Sequence, residues 1–285
     1  MVRRMSADLR HSPLPRASVA FPDAIVAAMP PFPRGCVWLV GAGPGDLGLL
    51  TLQAAWALAQ ADIIFFDALV NEEVLRLTRA DAELRFVGKR AGRPSPKQSE
   101  ITDLLVSAAR AGERVVRLKG GDPYVFGRGA EEAQALVAAG IPFRAASGVT
   151  AGVGGLAAAG IPVTHRDINQ AVTFITAHDA AGGLSERLDW AALAAGSPVL
   201  VVYMGFRLMR EIASRLLGAG RSSEEAAAIV CHATTARQKV IRTTLGRLAA
   251  GADAEGAEAP ALIVVGEVVA LAPVLSPFLF AEPAA

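Results

Sequence analysis

Cysteine is almost missing from this chain: Cys36 and Cys231 are the two present in 285 residues. That is too few for a disulfide framework and points to a reducing compartment, the cytoplasm. Histidine is nearly as scarce, with four. Cys231 and His232 adjoin, but neighbours on a strand point to opposite faces, and no second Cys/His cluster completes a set, so no metal site is expected. An excess of either charge is lacking too. Lys+Arg number 28 against 27 Asp+Glu, a net +1, which provides no global field to attract nucleic acid or a membrane surface. Long hydrophobic runs are also absent. The longest uncharged stretch, Ala145 to Thr164, contains five glycines and Pro162, a poor membrane-spanning helix.

The first 34 residues lack apolar periodicity. Arg3, Arg4, Arg10, Arg16 and Arg34 alternate with Pro13, Pro15, Pro22, Pro30, Pro31 and Pro33. The arginines suit an organelle transit peptide, but prolines this dense oppose its amphipathic helix. A disordered or loosely packed arm is expected.

What the chain does have is strands that run into glycine-rich loops. Val115–Leu118 is apolar and β-prone except at Arg117, and leads into Gly120-Gly121-Asp122-Pro123-Tyr124-Val125-Phe126-Gly127-Arg128-Gly129, with a helix start at Ala130-Glu131-Glu132. Paired glycines let backbone pass close to a ligand, and open α/β sheets bind ligands at the carboxyl ends of strands. Val37–Val40 likewise runs into Gly41-Ala42-Gly43-Pro44-Gly45-Asp46, with a helix opening at Thr51. The dinucleotide fingerprint needs a third glycine where Asp46 stands, and a carboxylate there would repel a pyrophosphate. A cofactor without phosphates fits this loop better than NAD.

Further strands are predicted at Ile63–Phe66, Leu84–Val87 and Pro142–Ala145, with helices at Ser99–Ala111 and Ala130–Ala139. This alternation is a βαβ series, hence a mainly parallel sheet covered on both faces. Beyond the glycine-rich stretch Gly148–Gly160 the rhythm changes. Strands are predicted at Val172–Thr176, Val199–Met204, Ala227–Cys231, Lys239–Thr244 and Ala261–Val265, and only two helices, around Arg207–Leu217 and Leu245–Ala250. Cys231 and Lys239 are close enough for a strand–loop–strand pairing, so this second sheet should be mixed. The expected architecture is two α/β domains, 35–147 and 148–275, with an arm before, a tail after and a ligand cleft between. Asp253–Pro260 should be an exposed loop.

Five motifs in register carry a resemblance: the Gly41–Asp46 loop, Val87-Gly88-Lys89-Arg90-Ala91-Gly92, the Gly120–Glu132 loop, Gly160-Ile161-Pro162-Val163-Thr164-His165-Arg166-Asp167, and Tyr203-Met204-Gly205. Together, from Val37 to Leu271, the chain resembles the tetrapyrrole methylases. The resemblance implies a homodimer that binds S-adenosylmethionine between two α/β domains and methylates pyrrole carbons of a porphyrinogen. It assigns Pro44, Gly120, Gly121, Asp122, Val125, Thr150, Ala151, Met204 and Ala233 to the S-adenosylmethionine site. Asp67 and Lys89 match the family's candidate base and acid, and Arg128, Glu131 and Arg166 its substrate-carboxylate contacts. Methyl transfer of this kind is a displacement, so positioning should dominate, and a substrate with eight carboxylates needs cations near the cleft. Lys119, Arg90 and Arg93 are further candidates among those cations. Three departures stand out: Ser147 replaces a usual proline, Ala68 a common arginine, and His232-Ala233 the usual Asn-Gly.

Two other classes remain open. An NAD-linked oxidoreductase would place Asp67 on a ribose, about twenty residues after the glycine loop. A non-catalytic ligand-binding protein would keep the fold without the chemistry.

Overall fold

The computed structural model describes residues 20–88, 97–179 and 182–276. The first half runs α1 (Asp23–Ala28), β1 (Val37–Gly41), α2 (Leu52–Gln60), β2 (Ile63–Phe66), β3 (Glu83–Phe86), α3 (Gln98–Arg110), β4 (Val115–Lys119), α4 (Gly129–Ala138) and β5 (Phe143–Ala146). Its five strands lie in the order β3-β2-β4-β1-β5, all parallel. Alternation along each strand sorts the apolar side chains. Trp38, Val40, Ile64, Phe66, Val116 and Leu118 face α2, whereas Val37, Leu39, Ile63, Phe65 and Val115 face α3 and α4. Both faces are covered, which is why β1 and β2 are apolar throughout and β4 is apolar but for Arg117 and Lys119. The Thr51 hydroxyl accepts from Ala54 N at 3.2 Å and starts α2 where the sequence predicts it.

The second half comprises α5 (Ala151–Ala158), β6 (Thr173–Thr176), α6 (Trp190–Gly196), β7 (Leu200–Tyr203), α7 (Met209–Gly218), β8 (Ala226–Cys231), β9 (Lys239–Thr244), α8 (Leu248–Ala254), β10 (Ala261–Val265) and α9 (Ala272–Leu275). Its sheet runs β6-β7-β10-β8-β9. β6 and β7 are parallel and the remaining pairs antiparallel, so the sheet is mixed. β8 and β9 form the expected pair, closing at Cys231 opposite Lys239.

Helices α5, α6 and α9 and part of the arm, where α1 forms, depart from expectation. α5 forms within the glycine-rich stretch Gly148–Gly160, where no helix is predicted, because tertiary packing overrides a glycine penalty of about 1 kcal/mol per residue. α6 begins where the Asp189 side chain accepts from Ala192 N at 3.0 Å, a cap obscured by the alanines around it. The expected loose arm does not extend to Phe32, which is buried with its ring 4.9 Å from that of Trp38, nor to Phe21, set edge-on against Trp56 at 5.6 Å. The expected loop at Asp253–Pro260 is exposed beyond Ala254, where α8 ends.

Candidate functional site

The loops after β1 and β4 are stitched to each other at the carboxyl edge of the first sheet. Gly121 N donates to Gly43 O at 2.7 Å and Gly43 N to Gly121 O at 3.2 Å. Gly148, just past β5, packs against both: a Cβ on Gly41 would lie 2.5 Å from Gly121 O and from Gly148 N. Backbone meets backbone here from three strand ends, and no side chain larger than hydrogen fits. Asp122 locks the arrangement. Its Oδ1 accepts from Tyr124 N at 2.8 Å and its Oδ2 from Gly148 N at 3.0 Å. The sequence suggests Asp122 only as a partner for a ribose hydroxyl or an ammonium group, and the structure adds this loop-locking role.

The second half meets these loops through α5 and β7. The Tyr203 hydroxyl accepts from Gly152 N at 2.7 Å and shares a hydrogen bond with Thr150 Oγ1 at 2.7 Å. Burial pushes its pKa up. Its ring lies 5.0 Å from that of Phe126 in the β4 loop, a contact between the two halves of the chain. Pro44 neighbours the start of the same helix: a Cβ on Gly154 would come within 3.4 Å of its ring. Asp46, read as a repulsive carboxylate, is exposed and caps the turn that follows it: its Oδ1 accepts from Gly48 N at 2.7 Å, while its own N–H donates to Thr234 Oγ1 at 3.0 Å. Ala233 is buried against α5, where a Cβ on Gly155 would stand 2.7 Å from its methyl. The extra carbon relative to Asn-Gly is therefore accommodated by a glycine.

Backbone strain gathers in the same loops. The positive φ values at non-glycine residues among the described residues are 54° at Phe126, 58° at Arg128, 54° at Met204, 46° at His232 and 65° at Thr234. Each costs of order 1 kcal/mol, and such residues cluster at functional sites. Met204 is 43% exposed immediately after β7, although methionines usually fill cores. Val125 and Ala151 are half-buried in the β4 loop and at the first turn of α5.

The candidate charges divide into a buried and an exposed set. Asp67 follows β2, its Oδ1 accepting from Leu69 N at 3.2 Å and its Oδ2 lying 3.3 Å from Arg117 Nη2. Lys119, expected among the substrate-facing cations, is instead 4% exposed and bound to Glu132, 3.2 Å away. Desolvation, with the like charge of Arg117, pushes its pKa down. Arg128 and Glu131 are exposed and pair at 3.2 Å, and Arg166 is exposed. Lys89, Arg90 and Arg93 lie outside the described residues. Gly88, the last residue before them, packs on Ala68: a Cβ there would be 2.5 Å from Ala68 N, beside Asp67. Tyr203, Arg117 and Glu132 are site components that sequence reasoning missed, although an arginine within a central apolar strand is a visible signal. Among the described residues no group of three or more His, Cys, Asp or Glu side chains is placed to hold a metal ion.

With this geometry in hand, comparison with known proteins is direct. The family model "Tetrapyrrole (Corrin/Porphyrin) Methylases" matches residues 36–249. The chain belongs to this family. A uroporphyrinogen-III C-methyltransferase of a Sinorhizobium species is 57% identical over 249 residues, covering 87% of this chain and 89% of that protein. A siroheme synthase of Tolumonas auensis is 53% identical over 244 residues, and the chain spans about half of it, 51%. Among solved structures, a uroporphyrin-III C-methyltransferase from Thermus thermophilus complexed with S-adenyl homocysteine is 40% identical. It has a TM-score of 0.71, over 82% of this chain and 99% of that one. A cobalt precorrin-4 methyltransferase superposes with a TM-score of 0.74 at 26% identity, over 83% and 98% of the two chains. The two-sheet architecture with its strand-end loops is thus that of the tetrapyrrole methylases.

Proposed function

We propose that this protein transfers methyl groups from S-adenosylmethionine to two pyrrole carbons of uroporphyrinogen III, giving precorrin-2. The observation that carries this is the cradle at the carboxyl ends of β1 and β4, where Gly41 and Gly148 leave no room for a Cβ and Gly121 takes a φ of 66°. Thr150 and Tyr203 of the other half lie beside it, in a chain 57% identical to a uroporphyrinogen-III C-methyltransferase.

The residues present fit the methyl donor. Gly120, Gly121, Asp122 and Val125 would supply backbone and a carboxylate on one side, with Pro44 beneath. Thr150, Ala151, Met204 and Ala233 would supply the opposite wall. When bound, S-adenosylmethionine supplies an electrophilic methyl on a sulfonium. The chain's task is alignment, worth as much as roughly 7–11 kcal/mol for well-oriented partners. Arg128 and Arg166, with Glu131 ordering Arg128, would hold substrate carboxylates through charge-assisted hydrogen bonds. Carbon attack must be followed by loss of a proton, and Asp67 at the end of β2 would accept it, with Lys89 as the complementary acid.

We take 35–147 and 148–275 as the two domains and the cleft between them as the site. A homodimer follows from the same assignment and is checked by light scattering. No helix among the described residues is long and apolar enough to cross a membrane.

The test incubates the protein with S-adenosylmethionine and uroporphyrinogen III without oxygen and follows product mass. A gain of two methyl groups is expected. Binding of S-adenosylmethionine with the porphyrinogen unchanged would indicate a later corrin intermediate as substrate. No binding at all would overturn the assignment.

A further inference from the structure

Arg117 is the third residue of β4, at the centre of the first sheet, in register with Phe65 on one side and Leu39 on the other. It is 3% exposed. Its guanidinium spans two carboxylates. Nε donates to Glu132 Oε1 at 3.0 Å, Nη2 to Asp67 Oδ2 at 3.3 Å, and Nη1 to the carbonyl of Leu118 at 2.9 Å. Glu132, fully buried on α4, is held in turn by Gln98 Nε2 at 2.9 Å and Lys119 Nζ at 3.2 Å. One end of this chain of charges is therefore anchored in the core between α3 and α4. The other end, Asp67, has a side chain 24% exposed at the mouth of the site.

Burying such a group is costly, and well-packed apolar replacements of buried ion pairs are often neutral or stabilising. Val115 and Phe65, beside it on that face, are apolar, and Glu132 is already held there by Lys119 and Gln98, so the fold does not need a second cation at position 117. What the charge achieves is direction. A rigid planar fork fixed at Nε by Glu132 leaves Nη2 one place to point, and Asp67 is there. The backbone N–H of Leu69 takes the other carboxylate oxygen, so the carboxylate plane is set from both sides.

We propose that Arg117, clamped by Glu132, is a positioning residue that orients the Asp67 carboxylate for proton removal. This rests on the assignment of Asp67 as base. It places three more residues, Arg117, Glu132 and Lys119, in the service of the reaction, none of which need touch substrate.

The test is a double-mutant cycle of Arg117→Met and Asp67→Asn, read as kcat and KM for the porphyrinogen, with S-adenosylmethionine affinity and thermal midpoint as controls. Arg117→Met should lower kcat roughly tenfold or more while KM and donor affinity stay within about threefold. In the Asp67→Asn background the same change should cost little more, because groups acting as one unit are not additive. Wild-type kcat in Arg117→Met alongside a loss in Asp67→Asn would overturn the positioning role and leave Asp67 as base. Full additivity would do the same, since Arg117 would then act elsewhere. Unchanged kcat in Asp67→Asn alone would instead remove Asp67 as base. Should Arg117→Met fail to fold, Arg117→Lys reads the same quantity. It keeps a cation on Glu132 but cannot span to Asp67, so its folded form should show the same fall in kcat, and normal kcat would overturn the proposal.

Discussion

Asp62, just ahead of β2, carries more bonds than any residue assigned to the chemistry. Its Oδ2 accepts from Arg114 N at 2.9 Å and Nε at 3.1 Å, and its Oδ1 from Arg114 Nη2 and Arg79 Nη1, each at 2.8 Å. Those hydrogen bonds, Arg114's first, hold the carboxyl well below the usual carboxylate range, outweighing desolvation. A carboxyl whose pKa is depressed by folding stabilises the fold above its unfolded pKa of about 3.9, and that contribution is lost as pH falls through the folded value. Asp62→Asn should therefore cost roughly 2–3 kcal/mol at pH 7, and the gap to wild type should narrow as pH drops below about 4. Chemical denaturation across pH 3–7 checks it. Arg166 is the opposite case, an exposed cation. Arg166→Ala should leave stability within about 0.5 kcal/mol yet raise KM for the porphyrinogen roughly tenfold, the loss of one charge-assisted contact. Steady-state kinetics beside a melting curve separate the two.

Among the elements, α5 is the one the sequence conceals and the site most needs. Ala151–Ala158 has almost no bulky side chains, and each of its three glycines is closely packed: Gly152 on the Tyr203 hydroxyl, Gly154 on the side chains of Val149, Leu49 and Pro44, Gly155 on the Ala233 methyl. A thin helix lets pieces of both halves approach one axis. Gly152→Ala would drive a methyl into the tyrosine hydroxyl to which Gly152 N donates. Overpacking of this kind costs about 1–3 kcal/mol. It should also displace Thr150 and lower S-adenosylmethionine affinity by about tenfold, as calorimetric titration would show. Unchanged affinity would mean that the Tyr203–Thr150 contact is not part of the donor site.

Taken whole, the molecule joins its halves around the site through a few polar and ring contacts, among them Asp46 N to Thr234 Oγ1, Gly148 N to Asp122 Oδ2 at 3.0 Å, and the Phe126–Tyr203 ring pair. A ligand gripped from both sides adds to that small set. S-adenosylmethionine at a hundredfold excess over its Kd should raise stability by about 2.7 kcal/mol, a shift in thermal midpoint of several degrees that grows with ligand concentration. Thermal scans over a ligand series check this. A midpoint independent of ligand would exclude binding to the native cleft.

The sequence by itself determined both sheets, the strand-end loops and the family. Mostly apolar strands alternating with helices point to a covered parallel sheet, and glycines at Gly41, Gly120 and Gly121 mark where backbone must approach something closely. It did not disclose α5, whose glycines carry no helical signal of their own and are helical because close packing on Tyr203 and Ala233 requires them. Nor did it separate Lys119 from Arg128, both cations in glycine-rich surroundings. Burial sends Lys119 to Glu132 and leaves Arg128 in solvent, and burial depends on neighbours distant in the chain. The link from Arg117 to Asp67 joins residues fifty positions apart, one within β4 and one just past the end of β2. Only the pairing of β2 with β4 brings them within hydrogen-bonding distance, so that part of the site was decided by tertiary structure alone.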